Sequence, residues 1–395
     1  MSVLDWVVMV GTLLLIVGYG TWHTRRQHSR ADYLRGGNTD RWWGVGLSVV
    51  ATQLSAVTFI STPGQGYLDG MRFVQFYFGL PLAMVVVSAV FIPLYYKWNV
   101  YTAYEFIGKR FDQRMRLFTA ILFLLLRGLS AGITIYAPMI VLDKVLGVGY
   151  GWSFALTGLV VLYTTIGGAK IVGATQRHQM TVILVGLVLT LALVVHFLSD
   201  RMTFGESLRI AGTMGRMDII TTNFDLNDRF TLWSGLFGGF FLQLSYFGTD
   251  QSQVGRYLSG KSVRDARLGM VFNGLVKIPI QFIVLLTGVL VFVFYLFHTP
   301  PVHWNASNVA AVRNDPEMVR SEAQHAQDVA LINERSVMLL NAVRGDDPQT
   351  VGAARAGLHE ALTRDSITRS DVKRLIEARV RGADPAMMTA SSYRS

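Results

Sequence analysis

Polar side chains are concentrated in a few otherwise apolar segments of this sequence, and they are its first candidates for chemistry. One segment contains Thr52, Ser55 and Thr58 and is followed by Pro63 and Gly64. A helix that breaks in such a segment frees backbone carbonyls, and these oxygens, with nearby hydroxyls, suit a hard alkali cation in the middle of a membrane. Close packing of helices through small residues is the other interpretation of this composition.

A second apolar segment contains Gln243 and Tyr246, which lie three residues apart and therefore share one face of a helix. An amide beside an aromatic hydroxyl is a common arrangement for holding a small polar solute. A hydrogen bond between neighbouring helices would use the same residue types. Both interpretations stay open at this point.

Two charged residues lie inside apolar segments, where charge is costly. Lys277 lies four residues after Asn273, near enough to the end of its segment either to extend toward the membrane surface or to face the protein interior. Arg127 lies about ten residues into its segment, near the expected middle of the bilayer. Arg127 must face protein or water, and its partner is an acidic residue, a backbone carbonyl or an anionic substrate.

Hydrophobic helices are the elements that must position these residues. The chain has 395 residues, of which 51% are hydrophobic and 16% charged, whereas a soluble domain has about 25% charged residues. The apolar blocks are long enough to cross about 30 Å of hydrocarbon as helices. We therefore predict an all-α integral membrane protein with about eight spans, at residues 4–22, 43–66, 74–96, 117–141, 152–168, 180–199, 231–251 and 270–297.

The distribution of basic residues predicts the orientation. With the N-terminus outside, the four inner loops carry sixteen lysine and arginine residues and the short outer loops carry six, as the positive-inside rule requires. This bias accounts for the net charge of +10 without nucleic acid as a partner. The chain has no cysteine, which excludes disulfides.

The chain becomes hydrophilic after residue 298. Residues 299–395 contain no stretch able to span a bilayer, and Val329, Ile332 and Leu339 recur with helical periodicity. Further short helices are expected at about 348–364 and 368–381. By the predicted topology this part is a helical extracytoplasmic loop or tail outside the transmembrane domain of residues 1–298.

Signatures of soluble enzymes are missing from the sequence. It has no HExxH pair, no GxxxxGKS phosphate loop and no nucleophile elbow. We therefore predict neither an enzyme nor an organic cofactor.

Four segments resemble motifs of the sodium/solute symporter family, in the family's order. They are the broken helix at 55–67, the YTxxEFxxKRF loop at 101–111, the inner loop at 163–179 and the loop at 249–267. The resemblance implies two inverted repeats of five helices plus extra outer helices. Spans two to six would form the first repeat, and spans seven and eight would begin the second.

The resemblance also implies a site. By similarity to sodium-coupled galactose transporters, the backbone carbonyls of Ala51 and Leu54 line the sodium site and Tyr246 is the aromatic inner gate. The same similarity places around the solute the side chains of Gln53, Thr58, Tyr77, Gln243 and Lys277.

Departures from the sugar transporters indicate another solute. Thr58, Tyr77 and Gln243 replace a glutamine, a glutamate and an asparagine, which removes groups that bond sugar hydroxyls. The expected function is sodium-coupled symport of a small polar or anionic solute by alternating access, with Na+ as the coupling ion, in the inner or plasma membrane. The alternative is a symporter-like sensor or receptor module, which requires a cytoplasmic tail.

Chain length is the other departure. The family completes its sodium site with hydroxyls on the helix after span eight, and residues 299–395 contain no such helix. We expect a truncated chain, a split half completed by a second chain, or a remnant, and we favour truncation. On this reasoning residues 1–395 alone perform no coupled transport.

Overall fold

The computed structural model describes residues 7–8, 11–12, 14–15, 18, 39–54, 56–146, 149–225 and 227–379. These residues form helices and connecting segments, with one isolated bridge between Asp40 and Gly260. The prediction of an all-helical chain is confirmed for this part. The α-helices are α1 Trp42–Gln53, α2 Ala56–Asp69, α3 Gly79–Val86, α4 Ile92–Lys97, α5 Ala103–Arg110, α6 Gln113–Leu146, α7 Gly149–Ser199, α8 Phe204–Thr213, α9 Gly239–Thr249, α10 Gln251–Tyr257, α11 Val263–Phe297, α12 Ala306–Val312, α13 Pro316–Gly345 and α14 Pro348–Arg379.

Shorter helical turns connect some of these helices. Gly70–Tyr77 forms a 3-10 helix between α2 and α3, and Val87–Phe91 forms a short π-helix between α3 and α4. A second short π-helix, Ser234–Gly238, leads into α9.

Four helical stretches among the described residues are long and apolar enough to cross a membrane. They overlap the predicted spans at 74–96, 117–141, 180–199 and 270–297, and their bounds are Ser61–Lys97, Gln113–Tyr136, His178–Ser199 and Val263–Phe297. The predicted span at 4–22 lies mostly outside the described residues. The total of about eight spans stays a prediction.

Helix α7 differs from what the sequence led us to expect. An inner loop was expected at 169–179, but α7 continues through it for 51 residues. Residues 169–179 contain no proline that would interrupt the hydrogen-bond ladder. The spans at 152–168 and 180–199 are therefore joined by helix.

Helix α14 is longer than expected. Two short helices were predicted at about 348–364 and 368–381, and the structure has one helix, Pro348–Arg379, through the expected interruption.

Close contacts in the chain divide it into two compact units. Unit 1 consists of Met1–Thr62, Arg72–Leu189 and Ile219–Val284, and unit 2 of Pro63–Met71, Thr190–Asp218 and Leu285–Ser395. Helix α11 contributes residues to both units, so this division does not follow the predicted boundary at residue 298, which stays a prediction.

Unit 1 has its core around α1, α3, α9 and α11. Fully buried side chains in this core include Val45, Leu80, Phe247 and Met270. Gly239 allows α9 to approach the 3-10 helix Gly70–Tyr77, because a Cβ at Gly239 would collide with the carbonyl oxygen of Phe76. Small residues of this kind allow helix backbones to pack closely in membrane proteins.

Unit 2 contains a helical hairpin of α13 and α14, joined at Asp346 and Asp347. Its apolar core includes Met318, Val372 and Ile376. Arg344 near the end of α13 donates from Nε to Glu206 Oε1 of α8 at 2.6 Å, which ties the hairpin to the rest of the unit.

Candidate functional site

The helical backbone breaks at Leu54. Helix α1 ends at Gln53, and Leu54 has φ −87° and ψ 82°, outside the helical region. Its N–H still donates to the Val50 carbonyl at 3.1 Å, and α2 begins at Ala56. The break lies among the small and hydroxyl residues of this segment, whereas Pro63 continues inside α2. Carbonyls at a helix end lack partners within the helix, so backbone oxygens are available here.

The two residues predicted to line a sodium site lie at this break. Ala51 is in the last turn of α1, and Leu54 is the non-helical residue, 5% exposed. Both pack in a hydrophobic cluster that also includes Met180 of α7 and Val284 of α11. The apolar surroundings would strengthen the attraction between a cation and carbonyl dipoles.

A polar network joins α1 to α7 close to the break. Ser48 Oγ donates to Gln176 Oε1 at 3.0 Å, and Gln176 Nε2 donates to Thr52 Oγ1 at 3.2 Å. Gln176 was not among the predicted site residues, because it lies in the stretch that was expected to be a loop. The absence of proline in that stretch is the signal that could have placed Gln176 on a helix.

The predicted solute residues Gln53 and Thr58 lie on the two sides of the break, and both are half-buried. The Oε1 atom of Gln53 is buried and has no hydrogen-bond partner in the described part of the chain. Thr58 lies in the first turns of α2 and is half-buried.

Lys277 faces the protein interior. It is 2% exposed, and its Nζ lies 5.6 Å from the centroid of the Tyr77 ring. Among the described residues, no carboxylate forms an ion pair with Lys277. The side chain of Lys277 therefore does not extend toward the membrane surface. The structure also brings two predicted solute residues, Lys277 and Tyr77, together.

A buried polar face of α11 includes Lys277. Asn273, Lys277 and Gln281 follow each other at intervals of four residues and are 0%, 2% and 0% exposed. Asn273 Nδ2 lies 3.5 Å from Met84 Sδ of α3. Asn273 and Lys277 were noted from the sequence, whereas Gln281 was not predicted, although it continues the same spacing of four residues.

Gln243 and Tyr246 lie on α9, as their spacing predicted. Gln243 is buried, at 8% exposed. The hydroxyl of Tyr246 accepts a hydrogen bond from Gln253 Nε2 of α10 at 2.7 Å. The predicted gate residue is thus tied to the helix that follows its own.

Arg127 pairs with an acidic residue, one of the three partners that its sequence position left open. Its Nη2 donates to Asp250 Oδ2 and Ser252 Oγ, and its guanidinium lies 5.9 Å from the centroid of the Tyr246 ring. Asp250 also caps α10, because its Oδ1 accepts from the Ser252 N–H at 2.8 Å. Arg127 therefore holds the start of α10 beside the predicted gate.

Comparisons with known proteins find a matching family model and similar transporters. The model of the sodium:solute symporter family matches residues 33–323. The human sodium/iodide cotransporter is 30% identical over 295 residues, which cover 74% of this chain and 45% of that protein. Human sodium-coupled monocarboxylate transporter 1 is 32% identical over 273 residues, 68% of this chain and 44% of that protein. The sodium/glucose cotransporter of Vibrio parahaemolyticus is 28% identical over 306 residues, 74% of this chain and 56% of that protein.

The fold is similar to that of a solved transporter. The substrate-bound, outward-open structure of a Na+-coupled sialic acid symporter matches with a TM-score of 0.69 at 20% identity. The match covers 99% of this chain and 77% of that one. The chain spans less than half the length of the human relatives it matches.

Proposed function

This chain is a multi-pass membrane protein of the sodium:solute symporter family, and we propose that it carries the sodium- and solute-binding part of a sodium-coupled symporter. The solute is a small polar or anionic molecule. Na+ is the coupling ion, and no organic cofactor takes part.

The helix break at Leu54 is the observation that carries this proposal. Broken helices inside a membrane bundle are how secondary transporters expose backbone oxygens to ions. The carbonyls of Ala51 and Leu54 are the proposed sodium ligands, and both residues pack in one apolar cluster. Sodium orders the break, and the solute binds the ordered form with higher affinity, which couples the two.

The proposed solute residues are the ones that the family resemblance implies. They are Gln53, Thr58, Tyr77, Gln243 and Lys277, with Tyr246 as the inner gate. A buried ammonium without a carboxylate partner is expensive, and an anionic solute would neutralise Lys277. The iodide and monocarboxylate cotransporters among the relatives support an anion.

The proposed architecture has two inverted repeats, with about eight spans in this chain and a hydrophilic helical domain at 299–395. The N-terminus and this domain lie outside the inner or plasma membrane, as the basic inner loops suggest. A sensor module is the alternative function, and no observation favours it.

Uptake into liposomes tests the proposal. The full-length product of the gene that encodes residues 1–395 is reconstituted in liposomes, and uptake of labelled iodide, acetate and galactose is measured with and without an inward sodium gradient. We expect the gradient to stimulate uptake of an anion more than that of galactose. Lys277→Met should abolish this uptake, because the buried positive charge is lost.

Lys261→Met is the matched control, since Lys261 is exposed in a loop. It should leave uptake unchanged. Uptake that responds to a proton gradient but not to sodium would contradict sodium coupling, and normal uptake by Lys277→Met would remove Lys277 from the site.

A further inference from the structure

The 3-10 helix Gly70–Tyr77 is long for its type. Runs beyond about four residues are uncommon, because the hydrogen bonds of a 3-10 helix have poorer geometry than those of an α-helix, and this helix has eight residues. Contacts from outside the helix must therefore help to hold this form. They come from the segment that connects α8 to α9, which includes Thr221 and Phe230.

Gln75 makes the central contacts between this helix and the connecting segment. Its side chain is buried, at 0% exposed. Its Nε2 donates to the Phe230 carbonyl at 2.9 Å, and its Oε1 accepts a hydrogen bond from the Thr221 N–H at 2.8 Å. The amide of Gln75 thus uses both its donor and its acceptor on the backbone of the connecting segment.

Arg72 contacts the same two residues. Its Nη2 donates to the Phe230 carbonyl at 3.1 Å and its Nε to Thr221 Oγ1 at 3.1 Å, and its guanidinium pairs with Asp228. Residues three apart share a face of a 3-10 helix, so Arg72 and Gln75 lie one above the other. We call the contacts of these two residues with the connecting segment the polar clamp.

The neighbouring face of the helix carries the aromatic rings that surround Tyr77. Phe73 and Phe76 are stacked, with ring centroids 6.0 Å apart, and the Phe73 ring meets the Phe230 ring edge-on at 5.2 Å. The Tyr77 ring packs edge-on against both, at 5.8 Å from Phe73 and 6.0 Å from Phe76. Phe230 therefore belongs both to the polar clamp and to the ring cluster that supports Tyr77.

The form of this helix decides the direction of Tyr77. Successive residues turn by about 120° in a 3-10 helix and by about 100° in an α-helix. From Arg72 to Tyr77 the two forms would therefore differ by about 100° of rotation. In the 3-10 form the centroid of the Tyr77 ring lies 5.6 Å from Lys277 Nζ, and a rotation of that size would carry the ring away from the ammonium.

We propose that Gln75, with Arg72, is a positioning residue for solute binding, because the polar clamp keeps the 3-10 form and that form holds Tyr77 beside Lys277. This inference rests on the proposed function, in which Tyr77 and Lys277 contact the solute. Gln75 acts through Tyr77, since its own amide is buried and bonded to backbone groups.

Sodium-driven uptake of labelled iodide and acetate by the full-length protein in liposomes measures this effect. Gln75→Met removes the amide but keeps an unbranched side chain of similar length. For the anion that the sodium gradient drives more strongly, we expect Gln75→Met to raise the half-saturating concentration about tenfold, the effect of one good contact. Gln349→Met, which changes an exposed glutamine, should leave this concentration unchanged.

A double variant separates positioning from a general loss of stability. Tyr77→Leu should raise the same half-saturating concentration about tenfold, and Gln75→Met added to it should raise it no further. Independent effects would multiply to about a hundredfold. That result would show that Gln75 does not act through Tyr77.

Hydrogen exchange tests the polar clamp without transport. Gln75→Met should speed exchange of the amides of residues 72–77 and of Thr221, whereas exchange in α13 should stay as in wild-type protein. If Gln75→Met does not fold, Arg72→Met keeps the bonds of Gln75 and should show the same pattern with a smaller rise in half-saturating concentration, about threefold.

The possible failures are distinguishable. If wild-type protein shows sodium-driven uptake, an unchanged half-saturating concentration or unchanged exchange in the clamp variant overturns this inference alone. Absence of sodium-driven uptake of both anions by wild-type protein overturns the proposed function and this inference with it.

Discussion

The Arg127 guanidinium illustrates how a single charge inside an apolar helix is stabilised. It donates to Asp250 and Ser252 and lies against the Tyr246 ring. The carboxylate it pairs with is also the N-cap of α10. One ion pair therefore fixes a helix start and the neighbourhood of the proposed gate.

A double-mutant cycle would measure this ion pair. Arg127→Met and Asp250→Asn should each lower the melting temperature. The decrease in the double variant should be smaller than the sum of the two single decreases. Both side chains are partly exposed, at 32% and 20%, so the coupling energy should be ~1 kcal/mol rather than the larger value of a fully buried pair.

Arg114→Met is a suitable control for that cycle, since Arg114 is exposed at the start of α6. Its effect on the melting temperature should simply add to that of Asp250→Asn. Strict additivity of the Arg127 and Asp250 variants would show that the pair contributes nothing.

Helix α9 depends on glycine where backbones meet. A Cβ at Gly239 would collide with the Phe76 carbonyl oxygen, whereas a Cβ at Gly238 would meet nothing within 4 Å. We expect Gly239→Ala to destabilise the protein by about 1–3 kcal/mol through overpacking. Gly238→Ala should be neutral or slightly stabilising, since alanine favours helix.

Thermal unfolding in detergent, followed by circular dichroism, compares these two variants. Because the glycines are neighbours and receive the same methyl group, the comparison isolates the close approach. Equal melting temperatures for the two variants would show that α9 can move away from the 3-10 segment without cost.

The hairpin of α13 and α14 contains a buried histidine with two acceptors. His325 Nδ1 lies 2.6 Å from Asp365 Oδ1, and its Nε2 lies 2.9 Å from the Pro300 carbonyl oxygen. Both partners accept hydrogen bonds, so the doubly protonated imidazolium satisfies both. Arg369 donates to the other oxygen of Asp365 at 2.7 Å.

These contacts give the hairpin a defined pH dependence. Burial lowers the pKa of His325, but its bonds to Asp365 and the Pro300 carbonyl outweigh burial and raise the pKa above 6.5. Burial raises the pKa of Asp365, but His325 and Arg369 outweigh it and lower the pKa below 3.8. The contribution of His325 to the free energy of unfolding is therefore complete below pH 6.5 and is lost as the pH rises through the raised pKa. The contribution of Asp365 is lost only in strong acid, as the pH falls through its lowered pKa.

Hydrogen exchange by mass spectrometry can check this dependence. After correction for intrinsic exchange rates, amides of α13 and α14 should be better protected at pH 6 than at pH 8.5. His325→Gln should remove the difference, and His359→Gln, which changes an exposed histidine of α14, should retain it. Protection that rises toward pH 8.5 in wild-type protein would contradict the protonated pair.

Orientation in the membrane is a property of the whole molecule, and the absence of cysteine makes it simple to test. We expect Gln349→Cys, in the hydrophilic domain, to react with a membrane-impermeant maleimide in intact cells. Arg264→Cys, in a predicted inner loop, should react only after permeabilisation. Both positions are exposed. The reverse pattern would refute the proposed topology and favour the sensor alternative.

The sequence by itself determined the class of protein, because the length and composition of apolar segments are local properties. It also indicated the break near Leu54, since small and hydroxyl residues weaken a membrane helix, and the helical character of the tail. The order of the four motifs indicated the family that the comparisons then showed.

Only the tertiary structure decided which polar groups meet. Arg127 and Asp250 are 123 residues apart in the chain, so no local pattern could select that carboxylate among the partners left open. Burial of Gln281 depends on the helices packed around α11, and the partnership of Gln176 with Ser48 and Thr52 depends on α7 continuing through an expected loop. Periodicity reports the faces of a helix, whereas the partners and burial of each face are set by long-range packing.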